Sequence, residues 1–168
     1  MFAIRYFLVL FLTFGTVSTG ISLAAIPESK PQQEMPQPSR LHQPGDVVRI
    51  VMEALANNDQ PFTDAGIATT FAFASPANRV NTGPLEKFSN MVRNPVYGIM
   101  IDHVEREFSE VVITGNQAYQ MVKVTGASGA QTIFAFRLSQ QADGRFEGMW
   151  MTDAVWPVAS GDLPEQAF

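Results

Sequence analysis

Three side chains suited to acid–base chemistry alternate along one short stretch of the chain. His103, Glu105 and Glu107 are two residues apart, so in a β-strand they lie on the same face. An imidazole beside two carboxylates can take up and return a proton, which makes His103 a candidate catalytic base. The alternative is a polar stripe that faces solvent, with the apolar neighbours turned inward.

Two aspartates offer a second candidate for the same chemistry. Asp59 and Asp64 flank the apolar pair Pro61 and Phe62. A carboxylate that is buried in an apolar pocket has a raised pKa and can act as a base, so Asp64 is a candidate for catalysis and for ligand binding. The structural alternative is that Asp59 ends one helix and Asp64 is the N-cap of the next, a position that aspartate favours.

A polar cluster at residues 78–81 could bind an anion at the mouth of a pocket. Its Arg79 can hold a carboxylate or a phosphate through the planar guanidinium, or it can pair with Asp59 or Asp64 and hold a loop in place. Tyr97 can direct its hydroxyl into the same pocket or pack against the core. Arg79, Tyr97 and Asp64 are therefore the candidate ligand-binding residues.

The sequence lacks the motifs of the common cofactor and metal enzymes. It has no Gly-Lys-Ser/Thr phosphate loop, no Gly-x-Gly-x-x-Gly after a strand and no Gly-x-Ser-x-Gly elbow. It has no cysteine, and its two histidines, His42 and His103, are the remaining nitrogen ligands for a metal. We therefore predict no bound metal and no cofactor.

The first 43 residues have the composition of an export signal followed by a spacer. Residues 1–24 combine Arg5, an uncharged apolar run and small residues before a cleavage point, which is typical of a secretory signal peptide. The alternative is an uncleaved membrane anchor, because the apolar segment is barely long enough to span a bilayer. Residues 25–43 are rich in Pro and Gln and predict an extended linker. We expect an exported protein, in the periplasm, the thylakoid lumen or the extracellular space.

Three segments between residues 44 and 94 have apolar residues at helical spacing. The first begins at Pro44, the second covers residues 64–73, and the third begins at Pro84 and stops before Pro95. Residues 75–83 are rich in Pro, Asn and Gly, which predicts a loop.

After residue 96 the apolar period changes from 3.6 to 2, which predicts four strands. The first is expected to place Val104, Phe108 and Val112 on one inner face, and the third is apolar on both faces, as a central strand is. Helices followed by an antiparallel meander predict an α+β domain over residues 44–158, with the helices on one side of a curved sheet. Residues 159–168 are expected to form a flexible tail.

Several motifs in this domain resemble one known family. They are Ser75-Pro76-Ala77-Asn78-Arg79, Thr82-Gly83-Pro84, Pro95-Val96-Tyr97 and the closing segment with Asp143-Gly144 and Trp150-Met151-Thr152-Asp153. Over about residues 47–155 the chain resembles the domain of unknown function 4864 family, and it departs from that pattern at Ala154, where the family pattern has glycine. The resemblance implies a cone of the nuclear transport factor 2-like fold group, with helices in the concave face of a bent sheet around a pocket. It implies no activity, because that fold hosts enzymes and binding modules alike.

Two functions fit these expectations. The first is a non-catalytic exported module that binds a small apolar ligand or a protein partner, with the open sheet face available for a homodimer. The second is a cofactor-free isomerase or hydratase with Asp64 or His103 as its base. We favour the first, because the sequence shows no convergent set of polar residues. The net charge of −5 disfavours nucleic acid as a partner.

A bent sheet would leave some of the apolar residues lining a cavity. The residues expected to supply that lining are Val51, Leu55, Ile67, Phe71, Phe134, Phe136 and Trp150.

Overall fold

The computed structural model describes residues 34–159 and Phe168. The predicted signal peptide, the first part of the predicted linker and most of the predicted tail lie outside the described residues. Residues 34–43, the described end of the linker, contain neither helix nor strand. Among the described residues, no helix combines the length and the apolar character that a membrane crossing requires.

Within residues 34–159, four helices precede five strands. The helices are α1 (Pro44–Ala56), α2 (Ala65–Ala72), α3 (Pro76–Thr82) and α4 (Leu85–Val92), and short 3₁₀ turns occupy Gly98–Met100 and Gly144–Phe146. The strands are β1 (Glu105–Phe108), β2 (Val112–Thr114), β3 (Gln117–Thr125), β4 (Gln131–Gln140) and β5 (Trp150–Val158). This order confirms the predicted α+β class.

The five described strands form one antiparallel sheet that is curled but not closed. The hydrogen-bonded order is β1-β3-β4-β5, and β2 also pairs with β3. The third predicted strand, β4, lies between β3 and β5, as its two apolar faces indicated. Its inward residues Phe134, Phe136 and Leu138 are fully buried in the core together with the apolar face of α1.

The prediction of one strand with Val104, Phe108 and Val112 on its inner face is wrong. The segment is divided into β1 and β2, and both pair with β3. Phe108 pairs with Val122 and Val112 pairs with Tyr119, so three residues between the two pairs oppose two residues of β3. The extra residue reverses the alternation, and Val112 is left exposed on the outer face.

The prediction of a loop over residues 75–83 is also wrong, because most of that segment is α3. Ser75 is the N-cap, and its hydroxyl accepts a hydrogen bond of 3.2 Å from the backbone N–H of Asn78. Pro76 follows at the first helical position, where its fixed φ suits the helix. The Ser-Pro pair is therefore a helix-start signal, although the composition of the segment is typical of a loop.

Helices α1 and α2 cross with their backbones in contact. A Cβ atom added to Gly66 would lie 2.1 Å from the carbonyl oxygen of Ala54, so any side chain larger than hydrogen would push the helices apart. This close crossing brings the start of α2 against the C-terminal end of α1.

Candidate functional site

A cavity of about 280 Å³ lies between the helices and the last strand. An engineered protein cavity of about 150 Å³ holds benzene, so this volume suits a molecule of about eleven non-hydrogen atoms. Its apolar lining comes from α1, α4, the 3₁₀ turn after α4, β5 and the connection between α2 and α3: Leu55, Ala74, Phe88, Met91, Val92, Met100, Ala154 and Val155. Its polar lining is Thr70, Asn78, Asn81, Thr82, Tyr97, Thr152 and Asp153.

A β-bulge in β5 shapes one wall of the cavity. Leu138 pairs with Thr152, whereas the preceding residue of β4, Arg137, pairs with Ala154. Asp153 is therefore an extra residue without a partner in the ladder. Bulges bend a strand and redirect side chains, and they occur often beside binding sites.

The bulge places four consecutive residues, 152–155, on the cavity wall. In a regular strand, alternate residues would face opposite sides of the sheet. The α2–α3 connection holds this part of β5 in place, since the backbone N–H of Ser75 donates to the Thr152 carbonyl and the N–H of Thr152 donates to the Phe73 carbonyl, each at 2.9 Å. We call residues 152–155 the bulge wall.

Most side-chain donors that line the cavity are bound to acceptors of the protein itself. The hydroxyls and amides donate as follows: Thr70 to the Gly66 carbonyl at 2.9 Å, Asn78 to the Thr152 carbonyl at 3.0 Å, Asn81 to the Ala77 carbonyl at 3.0 Å, Thr82 to the Asn78 carbonyl at 2.9 Å, and Tyr97 to the Val155 carbonyl at 3.1 Å. The hydroxyl of Tyr97, one of the predicted ligand contacts, is thus at the cavity and already engaged.

Two side chains of the bulge wall have no such partner. Thr152 is buried, and its hydroxyl oxygen has no hydrogen-bond partner among the described residues; an unpaired buried polar group costs about 1–3 kcal/mol. Asp153 is half-buried and makes neither an ion pair nor a side-chain hydrogen bond within the described part of the chain. Of the described residues that line the cavity, Asp153 alone is acidic or basic.

Arg79 lies outside the cavity lining and holds the end of α2. Its Nε donates to the carbonyl of Ala74 at 2.9 Å, and an Nη donates to the carbonyl of Ala72. The guanidinium also lies over two aromatic rings, 5.4 Å from the centroid of Phe71 and 5.1 Å from that of Phe146. The two hydrogen bonds satisfy the carbonyl of Ala72, the last residue of α2, and that of Ala74 in the α2–α3 connection.

The alternative pairing of Arg79 with Asp59 or Asp64 is not formed. Burial lowers the pKa of the Arg79 guanidinium, and the nearby positive charge of Arg145 lowers it further. Asp64 instead pairs with Arg93.

Asp64 belongs to a hydrogen-bonded network at the crossing of α1 and α2. Asn58 is buried, and its amide donates to Asp59 at 2.8 Å and to Asp64 at 3.0 Å. The Asn58 oxygen accepts from the backbone N–H of Ile67 at 3.2 Å, so Asn58 caps α2. Asp64 occupies the N-cap position but makes no side-chain cap hydrogen bond. We call Asn58, Asp59, Asp64 and Arg93 the α1–α2 corner; none of them lines the cavity.

His103 is buried in a second closed network. Its Nδ1 lies 2.8 Å from the Met100 carbonyl and its Nε2 lies 3.3 Å from Arg106, which fits a neutral ring that donates through Nδ1 and accepts through Nε2. Arg106 also pairs with Glu53. The pKa of His103 is lowered, mainly by burial and further by the positive charge of Arg106. The hydrogen bond to the Met100 carbonyl and the negative charges of Glu53 and Asp102 act in the opposite direction.

The expectation that His103 shares a strand face with Glu105 and Glu107 is wrong. β1 begins at Glu105, and the residue before His103, Asp102, has a left-handed φ of 50° that turns the chain. The histidine faces the core, whereas both glutamates are exposed and Glu107 pairs with Lys123. No group of three or more His, Cys, Asp or Glu side chains that could hold a metal occurs among the described residues.

Sequence reasoning missed Thr152 and Asp153, because a bulge is not visible in a pattern of period 2. The available signal was a single acidic residue within the otherwise uncharged β5. Of the seven residues expected to line a cavity, Leu55 does so. The others pack in the core or against it instead: Val51, Ile67, Phe134, Phe136 and Trp150 are buried in the core, and Phe71 is partly buried against it.

Comparison with known proteins identifies a family and nothing more specific. No curated protein and no solved structure matches the chain. A family model described as a domain of unknown function (DUF4864) matches residues 42–159, which is almost the whole of the described domain and more than half of the chain. The chain therefore belongs to the DUF4864 family.

Proposed function

We propose that this protein is an exported, non-catalytic module that binds a small apolar molecule in the cavity beside β5. The cavity carries the proposal: it has a volume of about 280 Å³, and apolar side chains form most of its walls. Concave apolar sites with a few placed polar groups are the usual form of small-molecule sites. Met91 and Met100 in the lining have flexible thioether side chains that adapt to different ligand shapes.

The enzymatic alternative, a cofactor-free isomerase or hydratase, receives less support. Its candidate bases, Asp64 and His103, lie outside the cavity lining, and each is held by hydrogen bonds to other residues. A catalytic site needs acid and base groups that converge on one substrate atom. The cavity lining holds one carboxylate, Asp153, and a tyrosine hydroxyl that is bound to a carbonyl.

The nuclear transport factor 2-like relationship, the export and the homodimer are parts of the same proposal. Helices on the inner side of a curled sheet, with a cavity between them, support the fold-group assignment. The pattern of residues 1–24 supports export. Val112, Tyr119 and Trp156 are exposed and apolar on the outer sheet face, where a second copy could pack.

Thermal unfolding with a panel of apolar compounds of about ten non-hydrogen atoms tests the binding function. A ligand that binds only the folded state stabilises it by about 2.7 kcal/mol at 100 times its Kd, and we expect a rise of several degrees in Tm. Val155 lies opposite the inward Phe136 and lines the cavity, so Val155→Phe should reduce the cavity volume and abolish the shift. Ala135→Phe, on the outer sheet face opposite Trp156, should leave it. Absence of any shift, or a shift that survives Val155→Phe, would contradict the proposal.

A further inference from the structure

The polar lining of the cavity offers acceptors and few donors. The hydroxyls of Thr70, Thr82 and Tyr97 are already bound to protein acceptors, and the amides of Asn78 and Asn81 each use one of their two N–H groups in the same way. The carboxylate of Asp153 has no partner within the described part of the chain. A molecule that enters therefore meets groups that can accept its hydrogen bonds.

The charge of the lining has one sign. Asp153 contributes a carboxylate, and none of the described lining residues is Lys, Arg or His. Three cations adjoin lining residues in sequence, and each is engaged elsewhere. Arg79 donates to the carbonyls of Ala72 and Ala74, Lys87 donates to the Asn81 carbonyl at 2.8 Å, and Arg93 pairs with Asp64. An anionic ligand would be placed next to Asp153 without a counter-charge, which is unfavourable in a partly desolvated site.

The position of the carboxylate is a consequence of the bulge in β5. Asp153 has no partner in the ladder, because Thr152 and Ala154 pair with consecutive residues of β4. Its neighbour Thr152, 6% exposed, leaves a hydroxyl without a hydrogen-bond partner among the described residues. The Asp153 carboxylate is thus the unpaired polar group that this wall presents to the cavity, beside a Thr152 hydroxyl that is buried.

We infer that the cavity is selective for a small cationic amphiphile, a primary or secondary amine with an apolar body, whose ammonium group pairs with Asp153. This inference rests on the proposed binding function. An ammonium group carries up to three donors and no acceptor, which complements the carboxylate of Asp153. The apolar body lies against Phe88, Met91 and Met100, and the aromatic ring of Tyr97 favours a nearby cation.

Three compounds of nearly equal shape test the charge selectivity: 2-phenylethylamine, 2-phenylethanol and phenylacetate. Calorimetric titration of the protein at pH 7 and low salt should give an amine affinity at least tenfold above that of the alcohol, with the carboxylate weakest. Added salt should reduce the advantage of the amine, because an ion pair is screened. Equal binding of amine and alcohol would overturn the inference and leave the proposed function standing. Failure of all three to bind would overturn both.

Asp153→Asn provides the matched variant, since asparagine has nearly the same shape and no charge. It should lower amine affinity about tenfold and leave alcohol affinity unchanged. Asp143→Asn, an exposed residue of the β4–β5 connection, should change neither. An amine preference that persists in Asp153→Asn would contradict the role of this carboxylate. The wild-type series decides the charge selectivity even if the variant does not fold.

Discussion

The α1–α2 corner and the bulge wall both place a carboxylate beside a buried polar side chain. In the corner, the amide of Asn58 binds Asp59 and Asp64, its oxygen binds the start of α2, and Arg93 neutralises Asp64. On the bulge wall, the Thr152 hydroxyl and the Asp153 carboxylate have no side-chain partner among the described residues.

The difference separates polar groups that stabilise the fold from polar groups that are available to a ligand. Buried polar groups in native proteins are almost always hydrogen-bonded, so each exception needs a reason. In the corner, the buried side chain of Asn58 is hydrogen-bonded through both its amide and its oxygen, and the corner does not line the cavity. On the bulge wall the Thr152 hydroxyl is buried without a partner among the described residues, and the half-buried Asp153 carboxylate, which also has none, is the group that we propose for a ligand.

The largest expected effect is the loss of stability in Asn58→Ala. This change removes three hydrogen bonds and leaves the N–H of Ile67 without its cap, at a cost of about 2–4 kcal/mol. Denaturant unfolding measures it. The neighbouring Asn57→Ala is the control, because Asn57 is exposed and its bonds stay within α1. Equal losses in the two variants would remove the distinction between the corner and an ordinary surface.

Arg79→Ala should have the next largest effect. It removes two hydrogen bonds to the end of α2 and the contacts with Phe71 and Phe146. We expect a loss of about 1–2 kcal/mol, and hence a Tm lower by about 4–8 °C. Arg49→Ala, which breaks an exposed ion pair on α1, should cost under about 0.5 kcal/mol. An unchanged Tm in Arg79→Ala would contradict this structural role and make Arg79 a candidate for ligand binding again.

Thr152→Val should change stability in the opposite direction. Valine replaces a buried hydroxyl that has no partner among the described residues by a methyl group of similar shape. Removal of the desolvation penalty should stabilise the free protein by about 1 kcal/mol. Thermal unfolding measures the gain. A loss of stability would show that the hydroxyl is bound in solution and that the bulge wall resembles the corner.

His103 should contribute the smallest effect, a dependence of stability on pH. Its pKa is lowered in the folded state, mainly by burial, so below the unfolded value of about 6.5 the unfolded chain binds more protons. The contribution is complete above that pH and is lost on acidification, with a slope of at most about 1.4 kcal/mol per pH unit. His103→Gln should reduce the slope of unfolding free energy between pH 5 and 6.5, and His42→Gln should keep it. The same slope in His103→Gln and the wild type would contradict this assignment.

Local sequence patterns were sufficient to predict most of the helices and strands. The apolar spacing of α1, with Val47, Val51 and Leu55, follows the helical period, and the two apolar faces of β4 are those of a central strand. These signals are readable because propensity and periodicity act over a few neighbouring residues. The order of helices before strands then limits the fold to the α+β class.

The candidate site depended on contacts between residues distant in sequence. Asp64, Arg79 and His103 have side chains suited to chemistry, but folding supplies each of them with a partner. Asp64 pairs with Arg93, Arg79 binds the end of α2, and His103 lies between the Met100 carbonyl and Arg106. Residue type alone does not reveal whether a polar group is already satisfied.

The sequence by itself determined the family resemblance, the α+β class and the apolar residues that build the core. The tertiary structure decided which polar groups have a hydrogen-bond or ion-pair partner and which do not. Asp153 lies on the cavity wall because one extra residue in β5 shifts its pairing with β4, and that register depends on both strands together. A hydrogen bond or a cavity is a property of two or more segments at once, so it is established only when those segments meet.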